Sequence, residues 1–297
     1  MKVVVGASSF ADSGREALYI LQEHGIEVKK NPYGRRMTQE EVIEHLRGAD
    51  GLLAGLEPLN ETVFKECPDL KAISRIGIGM DNVDLEAAAR YNIKVSNTPD
   101  APTDAVAEMV LTVLLNICHC IIPSNEDVHH GIWKKRMGRS ISELTVLVIG
   151  YGRIGKKTAN LLMGVGAKIL IYDKYNPEVS TCSLLEGIQK ADVITLHASG
   201  SEEIITDTMF AYMREGVIIL NSARGGLINE QALYHALQSG KAAVFWGDAL
   251  WEEPYNGILC ECRNAVLTPH ICTYTSFCRN EMEMQAVKNL LRDLELE

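Results

Sequence analysis

Three short segments in the second half of this 297-residue chain carry side chains suited to anion binding and proton transfer. Asn221-Ser222-Ala223-Arg224-Gly225-Gly226 sets an arginine among small residues, where its planar fork is free to project and to hold a carboxylate bidentately. Asp248-Ala249-Leu250-Trp251-Glu252-Glu253-Pro254 supplies carboxylates, and Leu267-Thr268-Pro269-His270-Ile271 supplies a histidine, the side chain whose reference pKa lies nearest neutrality. A carboxylate beside such a histidine would fix its tautomer and favour its protonated form. Chain order alone does not pair Glu253 with His270, and an arginine in a glycine turn reads equally well as a surface residue.

A fourth segment has the pattern of a nucleotide site. Val146-Leu147-Val148-Ile149 reads as a strand buried on both faces, and Gly150, Gly152 and Gly155 follow it with the spacing G-x-G-x-x-G. The first glycine permits a tight turn, the second admits a pyrophosphate to the backbone, and the third lets the next helix pack close. The free amides and positive dipole end of that helix favour phosphate. A second apolar run, Lys168 to Tyr172, ends on Asp173, where a carboxylate can accept from the ribose hydroxyls of NAD and repel the extra phosphate of NADP.

These segments need rigid strands to present them, and the chain alternates strand-like and helix-like runs throughout. Val3 to Val5, Gly51 to Ala54, Ala72 to Ile76 and Ile93 to Val95 read as strands in the first part. Ala191 to His197, Gly216 to Asn221, Ala242 to Trp246 and Ala265 to Thr268 do so in the second. Such alternation predicts parallel sheets covered by helices, in two domains for this length. Asn97-Thr98-Pro99-Asp100-Ala101-Pro102 marks a domain crossing, followed by one long apolar helix from Thr103 to Ile122. His129 to Ser142, with Trp133, reads as an arm, and residues 275–294 as a helix returning to the first domain. Ligands of such sheets bind beyond the carboxyl ends of the strands, in the cleft expected where two of these domains meet.

Composition narrows the function classes. With 39 acidic against 29 basic residues the formal charge is −10, which argues against nucleic acid as the main partner. No run approaches the ~20 apolar residues of a membrane span, and the start lacks a signal-peptide pattern, so a cytoplasmic protein is expected. Cys118-His119-Cys120 and Cys260-Glu261-Cys262 lack the spacer of common zinc sites, so no metal is expected.

The order of glycine turn, Asp173, S-A-R-G-G, D-x-x-x-x-E-P and T-P-H-I resembles the D-isomer-specific 2-hydroxyacid dehydrogenases. Arg75-Ile76-Gly77-Ile78-Gly79-Met80-Asp81-Asn82 resembles their substrate loop, and Ala105-Val106-Ala107-Glu108 the start of their long helix. The resemblance implies an α/β chain of two doubly wound parallel-sheet domains. A Rossmann NAD-binding domain (99–274) would be inserted in a flavodoxin-like substrate domain (1–98 with 275–297). It implies Arg224, Glu253 and His270 as catalytic residues. It further implies cofactor contacts from Gly150, Gly152, Arg153, Ile154, Gly155, Asp173, Ala223 and Asp248, and substrate contacts from Arg75, Gly77, Ile78 and Gly79. The activity implied is hydride transfer between NAD and a small anionic D-2-hydroxy or 2-oxo acid, by a homodimer formed through the NAD-binding domain.

Departures mark where the substrate is decided. Ser199 stands where the family usually has proline, Ile271-Cys272-Thr273 follow the histidine where small residues are usual, and Glu143-Leu144 replace a usual Gly-Lys pair. Phosphoglycerate members place an arginine after the third strand, whereas Ala54-Gly55-Leu56-Glu57 stands here, leaving Arg75 and Arg35-Arg36 as the cations available. A D-3-phosphoglycerate dehydrogenase-like enzyme is the leading expectation. The alternatives are a glyoxylate or hydroxypyruvate reductase and a non-catalytic NAD-sensing binding protein like the family's corepressors. No regulatory domain is expected beyond residue 297.

Overall fold

The computed structural model describes residues 1–200 and 202–297, and its chain divides into two compact units. Unit 1 is Met1–Pro102 with Thr273–Glu297, and unit 2 is Thr103–Cys272.

Unit 1 holds a five-stranded parallel sheet of β1 (Lys2–Val5), β2 (Glu27–Lys29), β3 (Gly51–Ala54), β4 (Ala72–Arg75) and β5 (Lys94–Asn97), in the order β2-β1-β3-β4-β5. Helices α1 (Glu16–Glu23), α2 (Gln39–Leu46), α3 (Glu61–Glu66) and α4 (Leu85–Arg90) alternate with the strands. The C-terminal helix Ser276–Asp293 packs on β3, β4 and β5 and beside α1, which itself lies against β2. The opposite face joins Val42, Val63, Phe64 and Ala87 to Val4, Leu52 and Ile73. Each fully buried Val, Leu, Ile or Phe among them contributes about 1.5–3 kcal/mol. Thr38, Asn60 and Asp84 cap α2, α3 and α4 by accepting from amides of the first turn, which sets where each strand's loop ends. Strand β2 is not among the expected strands: Glu-Val-Lys lacks a continuous apolar run because it lies at the sheet edge.

Unit 2 holds six parallel strands: β6 (Thr145–Ile149), β7 (Lys168–Tyr172), β8 (Val193–Leu196), β9 (Val217–Asn221), β10 (Ala242–Gly247) and β11 (Ala265–Leu267). Their order is β11-β10-β9-β8-β6-β7, so the chain reverses direction across the sheet between β7 and β8. Its helices are α5 (Pro102–Cys118), α6 (Ile121–His129), α7 (Arg153–Gly164), α8 (Leu184–Lys190), α9 (Asp207–Phe210) and α10 (Glu230–Ser239). One core layer packs α8 and α10 on the sheet through Ile188, Leu233 and Leu237, and the other packs α5 and α7 through Val110, Leu114 and Leu162. After β7 the chain makes only a short turn at Pro177–Val179, and Thr181 then hydrogen-bonds back to Ile171 on that edge.

The single helix expected from Thr103 to Ile122 is two helices. Cys120 takes a left-handed φ of 53°, and α5 and α6 diverge by 56°. The Arg139 amide bonds the Cys118 carbonyl at 2.9 Å, which satisfies the end of α5 and folds the arm back onto it. Among the described residues no single helix is long and apolar enough to cross a membrane. The bent pair α5–α6 meets that test only jointly, and α5 lies largely within the core. No group of three His, Cys, Asp or Glu among the described residues is placed to hold a metal.

Candidate active site

The glycine turn joins β6 to α7. Gly150 has φ +89°, and a Cβ there would lie 2.6 Å from the Ala198 amide, so only glycine fits. A Cβ at Gly155 would overlap the Gly150 carbonyl, which is how the third glycine brings α7 close. Gly152 is different: its missing side chain faces open space, and it begins α7 with no side-chain cap. Arg153 and Ile154 follow in the first turn of α7, whose leading amides are presented to that space. Asp173, just after β7, accepts from the Tyr151 amide at 2.7 Å and from the Tyr175 and Asn176 amides, both at 2.9 Å. This carboxylate fixes the turn and keeps acceptor capacity on the oxygen facing Tyr151. An uncapped helix start, an open glycine and an acid at the end of the second strand fit a dinucleotide such as NAD.

The turn after β9 carries Arg224. Asn221, the fully buried last residue of β9, accepts from the Ala223 amide at 3.0 Å and donates to the Arg224 carbonyl at 2.7 Å. Arg224 Nη1 donates to the Ala223 carbonyl at 2.8 Å, so the guanidinium is held against its own turn. A Cβ at Gly225 would collide with the backbone of Leu250 and Trp251, and glycine thereby lets the Arg224 turn lie directly on the segment that leads to Glu253.

Glu253 and His270, unpaired by chain order, meet here. His270 Nδ1 lies 2.9 and 3.1 Å from the two Glu253 carboxylate oxygens, with both side chains about one-third exposed (35%). Burial pushes the Glu253 carboxyl upward, but the hydrogen bond from His270 and the charges of His270 and Arg224 outweigh it, leaving its pKa below the ordinary value. A neutral imidazole that donates from Nδ1 to this carboxylate keeps Nε2 as its free lone pair.

The loop bearing His270 is held by Asp248. Asp248 Oδ1 accepts from the Thr268 hydroxyl at 2.6 Å and the Ile271 amide at 2.9 Å, and Oδ2 from the Cys272 amide at 2.9 Å. His270 itself has φ +55°, unusual for a side chain of its size, and its amide bonds the Asp248 carbonyl. Cys272, at a family departure, is buried with its amide on Asp248. Glu143, at another, caps a short turn by accepting from the Ser140 amide.

In unit 1 the loop after β4 is Ile76–Gly79. The Gly77 amide donates to the Thr98 hydroxyl at 2.8 Å and to the Arg75 carbonyl, whereas the amides of Ile78 and Gly79 have no acceptor among the described residues. Thr98 and Asn97, which bonds the Ile78 carbonyl at 2.8 Å, thus brace a turn that presents two free donors. Arg75 is buried and bonds the Ile76 carbonyl. Of the arginine pair, Arg35 is engaged bidentately by Glu41 at 2.8 and 2.6 Å, while Arg36 is exposed and within electrostatic reach of Glu57. Glu57 is fully buried, with both oxygens on the Gly55 amide. Burial raises its pKa against the pull of Arg75 and Arg36.

Sequence reasoning assigned nothing to Asn221, Thr268, Thr98 or His197. The first two carry a faint signal, as polar residues ending apolar strands. His197 bridges Thr195 Oγ1 at 3.0 Å and Ser222 Oγ at 3.2 Å, and burial lowers its pKa to about 3, so it is a neutral strut beneath the Arg224 turn.

In sequence and fold the chain is similar to known proteins. Residues 111–272 match the model of the D-isomer specific 2-hydroxyacid dehydrogenase, NAD binding domain. A hydroxypyruvate reductase of Blautia hydrogenotrophica is 35% identical over 84% of this chain and 84% of its own length. A D-3-phosphoglycerate dehydrogenase of Methanocaldococcus jannaschii is 35% identical over 86% of this chain, which spans 51% of that relative. The crystal structure of the TT0316 protein from Thermus thermophilus superimposes with a TM-score of 0.88 at 30% identity, covering 99% of this chain and 97% of that one.

Proposed function

The chain belongs to the D-isomer-specific 2-hydroxyacid dehydrogenases, NAD-dependent oxidoreductases, and from that premise we propose that Arg224, Glu253 and His270 are its catalytic residues and D-3-phosphoglycerate its leading substrate. The observation that carries the catalytic assignment is the 2.9 Å contact of His270 Nδ1 with Glu253. NAD held at the glycine turn and Asp173 would supply the hydride chemistry at C2, as acceptor when the hydroxy acid is oxidised and, in its reduced form, as donor when the oxo acid is reduced. His270 Nε2 takes the hydroxyl proton as hydride leaves, and Glu253 stabilises the imidazolium so formed. Arg224 binds the substrate carboxylate and polarises the C2 oxygen. In unit 1, Arg75, Gly77, Ile78 and Gly79 are proposed as substrate contacts, the amides of Ile78 and Gly79 being donors open to an anion and Gly77 setting the turn. Gly150, Gly152, Arg153, Ile154, Gly155, Asp173, Ala223 and Asp248 are proposed around the cofactor.

Arg36 and Arg75 are the cations in unit 1 that favour a phosphorylated substrate. The buried Glu57, at the loop where an arginine is common in phosphoglycerate members, favours the second reading, a hydroxypyruvate or glyoxylate reductase. A panel following NADH absorbance separates them. Turnover with 3-phosphoglycerate well above that of unphosphorylated D-hydroxy acids supports the first, and preference for hydroxypyruvate or glyoxylate replaces it with the second. Loss of all activity towards 2-oxo acids would overturn both.

The exposed apolar residues Ile121, Trp133 and Met137, the last two 86% and 96% exposed, support a homodimer through the NAD-binding unit. Light scattering is expected to give twice the chain mass, and Trp133→Glu to shift it towards one chain. A monomer at micromolar concentration would refute the pairing.

A further inference from the structure

The acid at the end of the second strand of unit 2 has a cation beside it. Lys174 follows Asp173 directly, and an ammonium so placed would by itself attract the 2′-phosphate that distinguishes NADP from NAD. Lys174 Nζ instead lies 2.6 Å from Oε2 of Glu202. The two residues come from different loops. Lys174 lies after β7 and Glu202 after β8, and the sheet places β6, with its glycine turn, between those strands. Neighbouring strands lie ~4.8 Å apart, so the ion pair joins loops from strands roughly 10 Å apart, one on each side of the turn. Pairs between exposed side chains are commonly loose, because two long side chains must be ordered to hold them. Here the backbone at both ends is tied. Asp173 accepts from the Tyr175 and Asn176 amides, and its own amide donates to the Ser180 hydroxyl at 2.9 Å. On the other side Glu203 accepts from Asn229 Nδ2 at 3.2 Å, and the Ile204 and Ile205 amides donate to the Leu227 carbonyl at 2.8 and 2.9 Å. Lys174 and Glu202 thus each stand on an anchored loop.

We propose that Glu202 is a cofactor-selecting residue: it holds Lys174 and cancels its charge, so that the preference for NAD over NADP rests on Glu202 as well as on Asp173. This role rests on the placement of NAD at the glycine turn and Asp173 given above, and deepens it. Asp173 repels a 2′-phosphate directly, whereas Glu202 acts on the cation that would receive it. With Glu202 neutral, Lys174 is released to donate to a phosphate at this edge, a charge-assisted hydrogen bond that raises affinity about tenfold.

The test measures binding in the full chain without turnover. NADH and NADPH are titrated by nicotinamide fluorescence, and adenosine 2′,5′-bisphosphate and AMP by calorimetry, into the parent, Glu202→Gln, and a double variant that adds Lys174→Met. Glu202→Gln is expected to raise the affinity for NADPH relative to NADH by about tenfold, and that for the bisphosphate relative to AMP by a similar factor. Adding Lys174→Met is expected to abolish both gains. At about 1 M salt the gains should fall below about threefold, because exposed charges are then screened within a few ångströms. A NADPH-to-NADH affinity ratio that Glu202→Gln leaves within about twofold of the parent's overturns the proposal, as does a gain that survives Lys174→Met. A parent chain that binds neither dinucleotide instead removes the cofactor reading on which the role rests.

Discussion

The loop after β4 in unit 1 and the loops after β9 and β10 in unit 2 occupy the same place in their sheets but are finished in opposite ways. At Ile76–Gly79 the bracing residues Thr98 and Asn97 take the Gly77 amide and the Ile78 carbonyl, and the amides of Ile78 and Gly79 are left open. In unit 2 the buried Asn221 takes the Ala223 amide and the Arg224 carbonyl, and the buried Asp248 takes the Ile271 and Cys272 amides, so that these loops present their functional side chains. The contrast separates two ways of serving a small anion: free backbone donors on a glycine turn, and charged side chains on backbone that is tied down. The second suits proton transfer, which needs a fixed imidazole, and the first suits holding a carboxylate, which needs only donors.

The sharpest break in that comparison comes from the side chains of unit 2. Arg224→Gln removes charge-assisted hydrogen bonds to the substrate carboxylate and is expected to lower kcat/KM by about 10²- to 10³-fold, measured by NADH consumption. A loss below tenfold would remove the guanidinium as the main holder of the anion.

Glu253→Gln is expected to cost about 10- to 100-fold in kcat, on the order of one hydrogen bond to a charged group. Its pH dependence carries a sign. The Glu253 pKa is depressed, so its support of His270 is in place above the ordinary carboxylate range and disappears as pH falls through the depressed value. The parent should therefore hold the Glu253-dependent part of its activity below the pH at which a free glutamate protonates, and the Gln variant should lack that acid limb. An identical acid limb in both would remove Glu253 from the site.

Gly77→Ala tests unit 1. With φ +148° and the Arg75 guanidinium where a Cβ would go, alanine strains the turn by roughly 1–3 kcal/mol. The expected result is a raised KM with kcat nearly unchanged, because the amides and not the chemistry are disturbed. Smallest is Asp173→Ala, expected to reduce the preference for NAD over NADP by about tenfold, the order of one charge-assisted contact. Cofactor titrations showing no change would leave Asp173 as the structural clamp of the glycine turn alone.

Much of this is legible in the residues alone. The glycine turn, the buried strands β3, β4, β6 and β9, and the segments bearing Arg224, Glu253 and His270 all follow from local composition, since a two-sided parallel strand must be apolar along its length. What is not legible depends on distant partners. Strand β2 has three ordinary residues and exists because β1 offers an edge. The break at Cys120 depends on Arg139, well along the arm, reaching the Cys118 carbonyl. Nothing in S-A-R-G-G announces that Asn221 will brace it, and the 2.9 Å approach of residues 253 and 270 is set by the register of β10 with β11.

The central claim, that an imidazole held by a carboxylate transfers the proton during hydride exchange with NAD, is tested most directly by His270→Gln in single-turnover kinetics with NADH prebound. The account predicts a fall of about 10²- to 10⁴-fold in the hydride-transfer rate with NADH affinity retained. A variant that transfers hydride at the parent rate would contradict it.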